Sequence, residues 1–177
     1  MNSNHLREIL NPLVPSFLGV FSADTLPKSL NPESIWCMVV NTANSDESGD
    51  HWVGLYHTGD RKTRFFCSYG SNPFQKEQIP QSIANMIHNL QGTVQYNRTR
   101  LRSDCTSICG QYTILFILSM EAGVSYDSFL QLFHSSCQIC NDIDVAKTIQ
   151  NLFDIQFTKH DIEWMRNRES ICQFMKL

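Results

Sequence analysis

The sequence predicts an α+β fold in which a small sheet comes first along the chain and helices follow it. Three runs rich in aromatic and β-branched residues lie between residues 35 and 69, as is typical of strands. From residue 109 onward, long apolar or amphipathic runs favour helices instead. No repeat, low-complexity tract or linker divides the 177 residues. We therefore expect a single domain that spans residues 1–177.

The predicted sheet is small and either antiparallel or mixed. Its strands are bounded by Gly, Pro, Asn, Asp and Ser residues, which favour turns. The strands are expected at residues 35–40, 51–57, 63–69 and 92–96. The tetrapeptide at 58–61 has the composition of a hairpin turn. Residues 17–21 form a brief apolar piece to which no strand is assigned.

Helices are predicted before, within and after this sheet. Apolar residues recur at helical spacing, and Pro or Asn residues mark several ends. The helices are expected at residues 5–10, 79–90, 109–120, 125–133, 143–153 and 157–174. Ser125 opens the helix at 125–133, and Asp142 opens the helix at 143–153 from the position before it. Both residues are expected to be N-caps.

Cys109 is a candidate nucleophile because a turn-prone segment ends at Cys109-Gly110 and an apolar run follows. We interpret that run as a buried helix with Cys109 at its amino end. Unpaired backbone N–H groups and the helix dipole favour a thiolate there. Gly110 has no Cβ, so a substrate backbone can approach closely, and it is a candidate substrate-binding residue. The alternative is that Cys109 is a small buried apolar residue, as most free cysteines are.

A cysteine nucleophile needs a base, and His51 is the best candidate of the six histidines. It opens a predicted strand directly after a polar loop, where a ring can lie beside a cleft. Trp52 beside it can shield the ring from water and is a candidate substrate-binding residue. A third group usually orients such a base. Cys67 stands where that group is expected, although a thiol is a weak acceptor.

The loop before Cys109 is expected to supply an oxyanion hole, for which the backbone N–H of Cys109 is one donor. Arg102 and Ser103 are the candidates for a second, side-chain donor. Arginine brings donors and a full charge, but on a long, mobile stem.

Composition limits the function classes. The net charge of −3 argues against a general nucleic-acid binder. No signal peptide and no apolar stretch long enough for a bilayer is evident. We therefore expect a soluble, intracellular chain without a membrane partner, with its seven cysteines reduced.

A metal site is a further alternative, because Cys137, Cys140 and His134 resemble half of a zinc site, but no second pair follows. We expect free thiols in a loop there, no metal and no cofactor.

Several pieces of the chain together resemble the adenovirus-type cysteine proteases. The resemblance is greatest to those encoded by Polinton (Maverick) elements and adenovirus-like viruses. The His-Trp pair and the Cys-Gly pair on a helix are specific when they occur together. The matching pieces are Phe17-Leu18-Gly19-Val20-Phe21, Leu26-Pro27, Val40-Asn41-Thr42-Ala43, His51-Trp52-Val53, Phe65-Phe66-Cys67-Ser68-Tyr69-Gly70, Cys109-Gly110-Gln111-Tyr112 and Asn141-Asp142-Ile143-Asp144-Val145.

The resemblance implies a papain-like fold, shared with SUMO-deconjugating proteases, and a protease that cleaves viral precursor proteins during particle maturation, in the host nucleus or the virion. It makes Cys109 the nucleophile and His51 its base. Two positions depart from the family pattern: Cys67 replaces an acidic residue, and Arg102 replaces the glutamine of the oxyanion hole. The smallest adenovirus members are stimulated by a basic peptide that forms a disulfide with the protease. No cysteine stands at the corresponding place, so this peptide cofactor is not predicted. An activating peptide or DNA remains an open partner for which the sequence holds no evident signal.

Three functions remain open at this point. The first is a cysteine endopeptidase that matures viral or element-encoded precursors by Cys–His acyl transfer, with activity that the two departures impair. The second is a pseudo-protease that keeps the fold as a binding or structural protein. The third is a peptidase that removes a ubiquitin-like modifier. Retention of both His51 and Cys109 favours the first over the second.

Overall fold

Five strands form one mixed sheet in the computed structural model, which describes residues 1–134 and 136–153. The spatial order of the strands is their sequence order, β1 to β5. Both outer pairs are parallel, whereas β2–β3 and β3–β4 are antiparallel. The strands are β1 (Phe17–Ser22), β2 (Ile35–Asn41), β3 (Trp52–Thr58), β4 (Lys62–Phe66) and β5 (Thr93–Tyr96).

Helices cover both faces of this sheet. The helices are α1 (Ser3–Leu10), α2 (Gln81–Asn89), α3 (Cys109–Glu121), α4 (Tyr126–Leu130) and α5 (Gln138–Phe153). Alternate residues of β2 point to opposite faces: Cys37 and Val39 pack with α1, α3 and α5, whereas Met38 and Val40 pack with α2. The sheet is thus buried between two hydrophobic cores, which makes the α+β class of the prediction correct.

Helix α3 lies close against the central strand β3 because β3 carries a glycine at the contact. A Cβ on Gly54 would lie 2.6 Å from the Phe116 ring and 3.1 Å from Thr113. The Thr113 hydroxyl also donates to the Trp52 carbonyl oxygen at 3.4 Å. This contact fixes the amino end of α3 beside the beginning of β3.

Several element boundaries differ from the sequence-based expectations. Residues 17–22 form strand β1, which was not predicted. The strand expected at 63–69 ends at Phe66, and Cys67 to Gly70 form a turn closed by a 2.8 Å bond from the Gly70 N–H to the Cys67 carbonyl oxygen. Gly70 has φ +73°, a backbone conformation that favours glycine. The helix expected at 157–174 lies outside the described residues.

Helix α5 begins earlier than predicted, at Gln138. Ser125 caps α4 as expected, accepting from the Ser128 N–H. The prediction that Asp142 is an N-cap is wrong, because it lies within α5 and contacts the loop before Cys109.

The expectation of free thiols at Cys137 and Cys140 is also wrong, since a disulfide joins the two residues. Four cysteines are free, and they are Cys37, Cys67, Cys105 and Cys109 among the residues described. Within the same residues, no helix has the length and apolar character needed to cross a bilayer.

Candidate active site

The sheet brings His51 and Cys67 to the same end of neighbouring strands. His51 directly precedes β3, and Cys67 directly follows β4. Because β3 and β4 are antiparallel, with Gly54 opposite Phe66, the start of one strand lies beside the end of the other. Cys109 begins helix α3, which packs on β3. Three sequence-predicted residues therefore converge on one region of the fold.

The imidazole of His51 contacts the thiol of Cys67. The distance from His51 Nε2 to Cys67 Sγ is 3.3 Å, and both side chains are buried. The other ring nitrogen, Nδ1, is buried and has no hydrogen-bond partner. A proton on Nε2 that is donated to Cys67 leaves Nδ1 as the basic nitrogen.

The pKa of His51 is lowered from 6.5 to about 3. Burial is the main cause, and the positive charge of Arg102 adds to it. The ring is therefore neutral at physiological pH. A neutral imidazole can accept a proton from a thiol directly.

The Cys67 thiol remains uncharged at neutral pH because burial raises its pKa. Hydrogen bonds from Ser71 and the charge of Arg102 oppose that rise, whereas Cys109 adds to it. Cys67 thus contacts the imidazole without supplying the negative charge of a carboxylate.

Asn97 holds the backbone at Cys67, a role that no sequence pattern predicted. Its side-chain oxygen accepts from the Cys67 N–H at 3.1 Å, and its side-chain nitrogen donates to the Cys67 carbonyl oxygen at 2.7 Å. Its own backbone N–H donates to the Tyr126 hydroxyl at 2.9 Å. Asn97 is 1% exposed. Only the folded chain brings these residues together.

Tyr69 contacts both the candidate base and Arg102, and its role was also not predicted. Its ring centroid is 4.8 Å from that of His51, and the Arg102 guanidinium carbon is 4.2 Å from the ring centroid. Arg102 also donates a hydrogen bond to the Tyr69 hydroxyl. The Arg102 side chain is buried, and its Nε has no partner. This cation–π contact holds the guanidinium close to the imidazole.

A cleft of about 600 Å³ opens at the amino end of α3. Its size is within the range of small-ligand and peptide-side-chain pockets. Cys109, Arg102 and Trp52 line it, whereas His51 and Gly110 are not among the lining residues. The other lining residues are Met1, Asn2, Ser3, Arg7, Val20, Phe21, Ser22, Asn41, Asn44, Ser45, Glu47, Gly49, Asp50, Thr106 and Ser107.

The amino-terminal residue lies against two candidate substrate-binding residues. The indole N–H of Trp52 donates to the Met1 carbonyl oxygen at 3.2 Å. A Cβ on Gly110 would lie 3.2 Å from the Met1 side chain. The space beside Gly110 is therefore filled by Met1, although the sequence suggested open access there.

Residues 17–147 match the adenovirus endoprotease family. This match covers well over half of the chain, so the chain belongs to that family, which consists of cysteine proteases. No curated protein is similar enough to count as a match.

Two crystal structures of the ASFV protease, one of them of the selenomethionine protein, are similar in part. They are 22% and 19% identical to this chain, each with a TM-score of 0.39. Each similarity covers 64% of this chain but only 43% and 53% of the ASFV chains. The chain thus spans about half the length of those proteins.

Proposed function

We propose that the protein is a cysteine endopeptidase with Cys109 as nucleophile and His51 as general base. The observation that carries this proposal is the buried His51 ring, whose Nε2 contacts Cys67 and whose Nδ1 lacks a partner. Cys109 begins helix α3, which packs on the strand that His51 precedes, and Cys109 lines a cleft. These are the parts that acyl transfer by a cysteine requires.

In the proposed reaction, His51 Nδ1 takes the proton of the Cys109 thiol. The sulfur attacks the scissile carbonyl carbon, and the carbonyl oxygen becomes an oxyanion. The imidazolium then gives its proton to the leaving amine, which departs and leaves a thioester. A water molecule, deprotonated by His51, releases the acid and regenerates the thiol.

The remaining roles follow from the residues around the cleft. The Cys109 backbone N–H and the Arg102 side chain would stabilise the oxyanion. The unpartnered Arg102 Nε supports this role. Trp52 would contact the substrate, and Gly110 would do so once the Met1 side chain moves aside.

We assign the substrate class as precursor proteins of a virus or a Polinton-type element, processed in the host nucleus or the virion. Membership of the adenovirus endoprotease family supports a polypeptide substrate. The resemblance of the sequence motifs to proteases of Polinton elements and adenovirus-like viruses supports maturation of structural precursors. No activating peptide or DNA is part of this proposal.

The direct test combines an electrophilic probe with turnover. A peptide-aldehyde or vinyl-sulfone probe should modify Cys109, located by mass spectrometry, and wild-type protein should cleave precursor peptides. Cys109→Ala should abolish both, whereas Cys105→Ala, which changes an exposed free cysteine of the preceding loop, should change neither. Equal cleavage by wild type and Cys109→Ala would refute the proposal. Cleavage of modifier conjugates alone would favour a deconjugating peptidase.

A second candidate is a pseudo-protease that binds polypeptides without cleaving them. The observation that favours it is the pair of altered partners, since Cys67 supplies no charge and Arg102 lowers the pKa of His51. In serine proteases, loss of the orienting carboxylate costs roughly 10⁴ in turnover. Loss of an oxyanion donor costs about 10²–10³. Peptide binding without turnover above the Cys109→Ala level would select this candidate.

A further inference from the structure

The loop that leads to Cys109 has no regular secondary structure of its own. It runs from residue 101 to residue 108 and includes Arg102, which lines the cleft. Its start is tied to the turn that follows β4, because the N–H groups of Leu101 and Arg102 both donate to the Ser68 carbonyl oxygen, at 2.9 and 3.0 Å. The rest of the loop needs another support to keep one conformation.

Asp142 of α5 provides that support. Its Oδ2 accepts from the Ser103 N–H at 3.2 Å, from the Ser103 hydroxyl at 2.6 Å and from the Thr106 hydroxyl at 2.9 Å. Its Oδ1 accepts from the Tyr112 hydroxyl at 2.8 Å. The carboxyl group is fully buried. It therefore contacts the chain on both sides of Cys109: two residues before it and one in the first turn after it.

The preceding residue, Asn141, holds the start of the same loop. Its side-chain nitrogen donates to the Leu101 carbonyl oxygen at 3.0 Å and to the His134 carbonyl oxygen at 2.9 Å. Its side-chain oxygen accepts from the His134 N–H at 2.7 Å. Two consecutive side chains of α5 thus determine the path of the loop from Leu101 to Thr106.

A carboxylate suits the position of Asp142 because all four groups that face it are donors. An amide would direct an N–H₂ group or a carbonyl oxygen to each side. With its N–H₂ group toward Ser103, an amide would face the Ser103 backbone N–H, which cannot accept, and a buried N–H that faces another donor is costly. In the opposite orientation its N–H₂ group faces the Tyr112 hydroxyl, which must then accept and can donate only to the Leu101 carbonyl oxygen, 3.2 Å away. In either orientation the amide lacks the negative charge that strengthens the bonds from Ser103 and Thr106.

We propose that Asp142 is a positioning residue for the oxyanion side of the active site. It does not touch the substrate, and it acts through the loop that carries Arg102 and ends at the Cys109 backbone N–H. The inference rests on the proposed peptidase function. A displacement of about 1 Å in such a loop can cost roughly 10²-fold in rate.

The test compares Asp142→Asn with Asp144→Asn, which removes the same charge from an exposed residue of the same helix. For cleavage of a fluorogenic peptide, we expect Asp142→Asn to lower kcat about 10–100-fold with KM changed less than about threefold. Alkylation of Cys109 by iodoacetamide should stay within about twofold, because neither the thiol nor His51 contacts Asp142. A kcat equal to that of Asp144→Asn would overturn the proposal, as would an equal loss of kcat and alkylation rate.

Hydrogen exchange tests the positioning role without any turnover. The Ser103 amide should be protected in wild type and should exchange at least about tenfold faster in Asp142→Asn, with the amides of α3 unchanged. Unchanged exchange at Ser103 would refute the positioning role. Absence of wild-type cleavage with this exchange pattern intact would refute the peptidase function alone.

A milder variant covers the case in which Asp142→Asn does not fold. Tyr112→Phe removes only a hydroxyl, which contacts Asp142 Oδ1 at 2.8 Å and the Leu101 carbonyl oxygen of the same loop at 3.2 Å. We expect a kcat reduced several-fold and Ser103 exchange accelerated to a smaller extent. Wild-type values for both quantities would overturn the proposal.

Discussion

At the residue scale, the chemistry of the site depends on which groups surround His51. Its Nε2 contacts a neutral thiol, and its ring contacts Tyr69, over whose ring the charged guanidinium of Arg102 lies. Burial and the charge of Arg102 disfavour the imidazolium, which must form twice during each proposed turnover, and Cys67 supplies no negative charge to stabilise it. The two departures from the family pattern, Cys67 and Arg102, therefore both affect the imidazole of His51. Each can be reversed by a separate substitution.

Replacement of Cys67 by aspartate should raise both the pKa of His51 and the turnover number. A carboxylate beside Nε2 stabilises the imidazolium and holds the correct tautomer. Cys67→Asn is the matched control, since it has the same shape without the charge. NMR titration gives the pKa, and a fluorogenic peptide gives the rate. Equal values for the two variants would show that position 67 does not act on His51 electrostatically.

Replacement of Arg102 by glutamine should raise the pKa of His51, because a nearby positive charge is removed. Burial remains the larger cause, so the pKa should stay below its ordinary value of 6.5. Arg100→Gln is the control: Arg100 lies over the same Tyr69 ring at 4.8 Å but pairs with Asp104. An equal rise of the His51 pKa in both variants, measured by NMR titration, would contradict a specific effect of Arg102.

At the element scale, the contact between α3 and β3 sets the separation of nucleophile and base. Cys109 starts one element, and His51 precedes the other. Gly54 permits the close approach of the two elements, as the 2.6 Å distance from its virtual Cβ to Phe116 shows. Any side chain at this position must displace the Phe116 ring or the helix that carries it.

Gly54→Ala should therefore lower both stability and activity. Overpacking of this kind typically costs about 1–3 kcal/mol. Adding Phe116→Leu removes ring atoms at the contact and should restore part of both quantities. Denaturant unfolding measures the free energy, and peptide cleavage measures the activity. A stable, fully active Gly54→Ala protein would show that α3 can shift without consequence.

The periodicity of apolar residues predicted most helices and strands, but it missed one strand and misplaced several element boundaries. Strand β1 was missed because most of its residues are only half-buried, so it shows neither alternation nor a continuous buried run. The beginning of α5 was placed too late because Asp142 has the residue type of an N-cap. Its actual partners lie far away in sequence. Asp142 is 39 residues from Ser103, 36 from Thr106 and 30 from Tyr112.

The site was predictable in part for the same physical reason. Cys109 and His51 could be recognised as candidates from local sequence context, because Cys109 starts a predicted helix and His51 starts a predicted strand. Their surroundings depend on contacts between distant residues, and no local pattern encodes them. The Asn97 bonds to Cys67 and the tilted contact between the Tyr69 and His51 rings belong to this second group.

At the scale of the whole molecule, burial of His51 makes folding sensitive to acid. Its pKa is about 3 in the folded chain against 6.5 for the free group. Between these values the unfolded chain binds more protons, so stability is complete above about pH 6.5 and falls as the pH is lowered toward 3. The loss approaches about 1.4 kcal/mol per pH unit within this window.

His51→Gln should flatten this dependence, whereas His88→Gln, at an exposed position of α2, should leave it unchanged. Denaturant unfolding at a series of pH values measures the slope for each protein. A wild-type slope equal to that of His51→Gln would show that His51 takes up its proton without unfolding.

The disulfide between Cys137 and Cys140 gives the choice of buffer an unexpected importance. Assays of thiol proteases contain a reductant that keeps the nucleophile reduced. Here the same reductant attacks the bond that closes the first turn of α5, immediately before Asn141 and Asp142. Too little reductant leaves Cys109 oxidised, and too much loosens the helix that holds the loop in front of it. The rate of peptide cleavage should therefore be measured over a range of thiol concentrations. We expect the highest rate at an intermediate concentration.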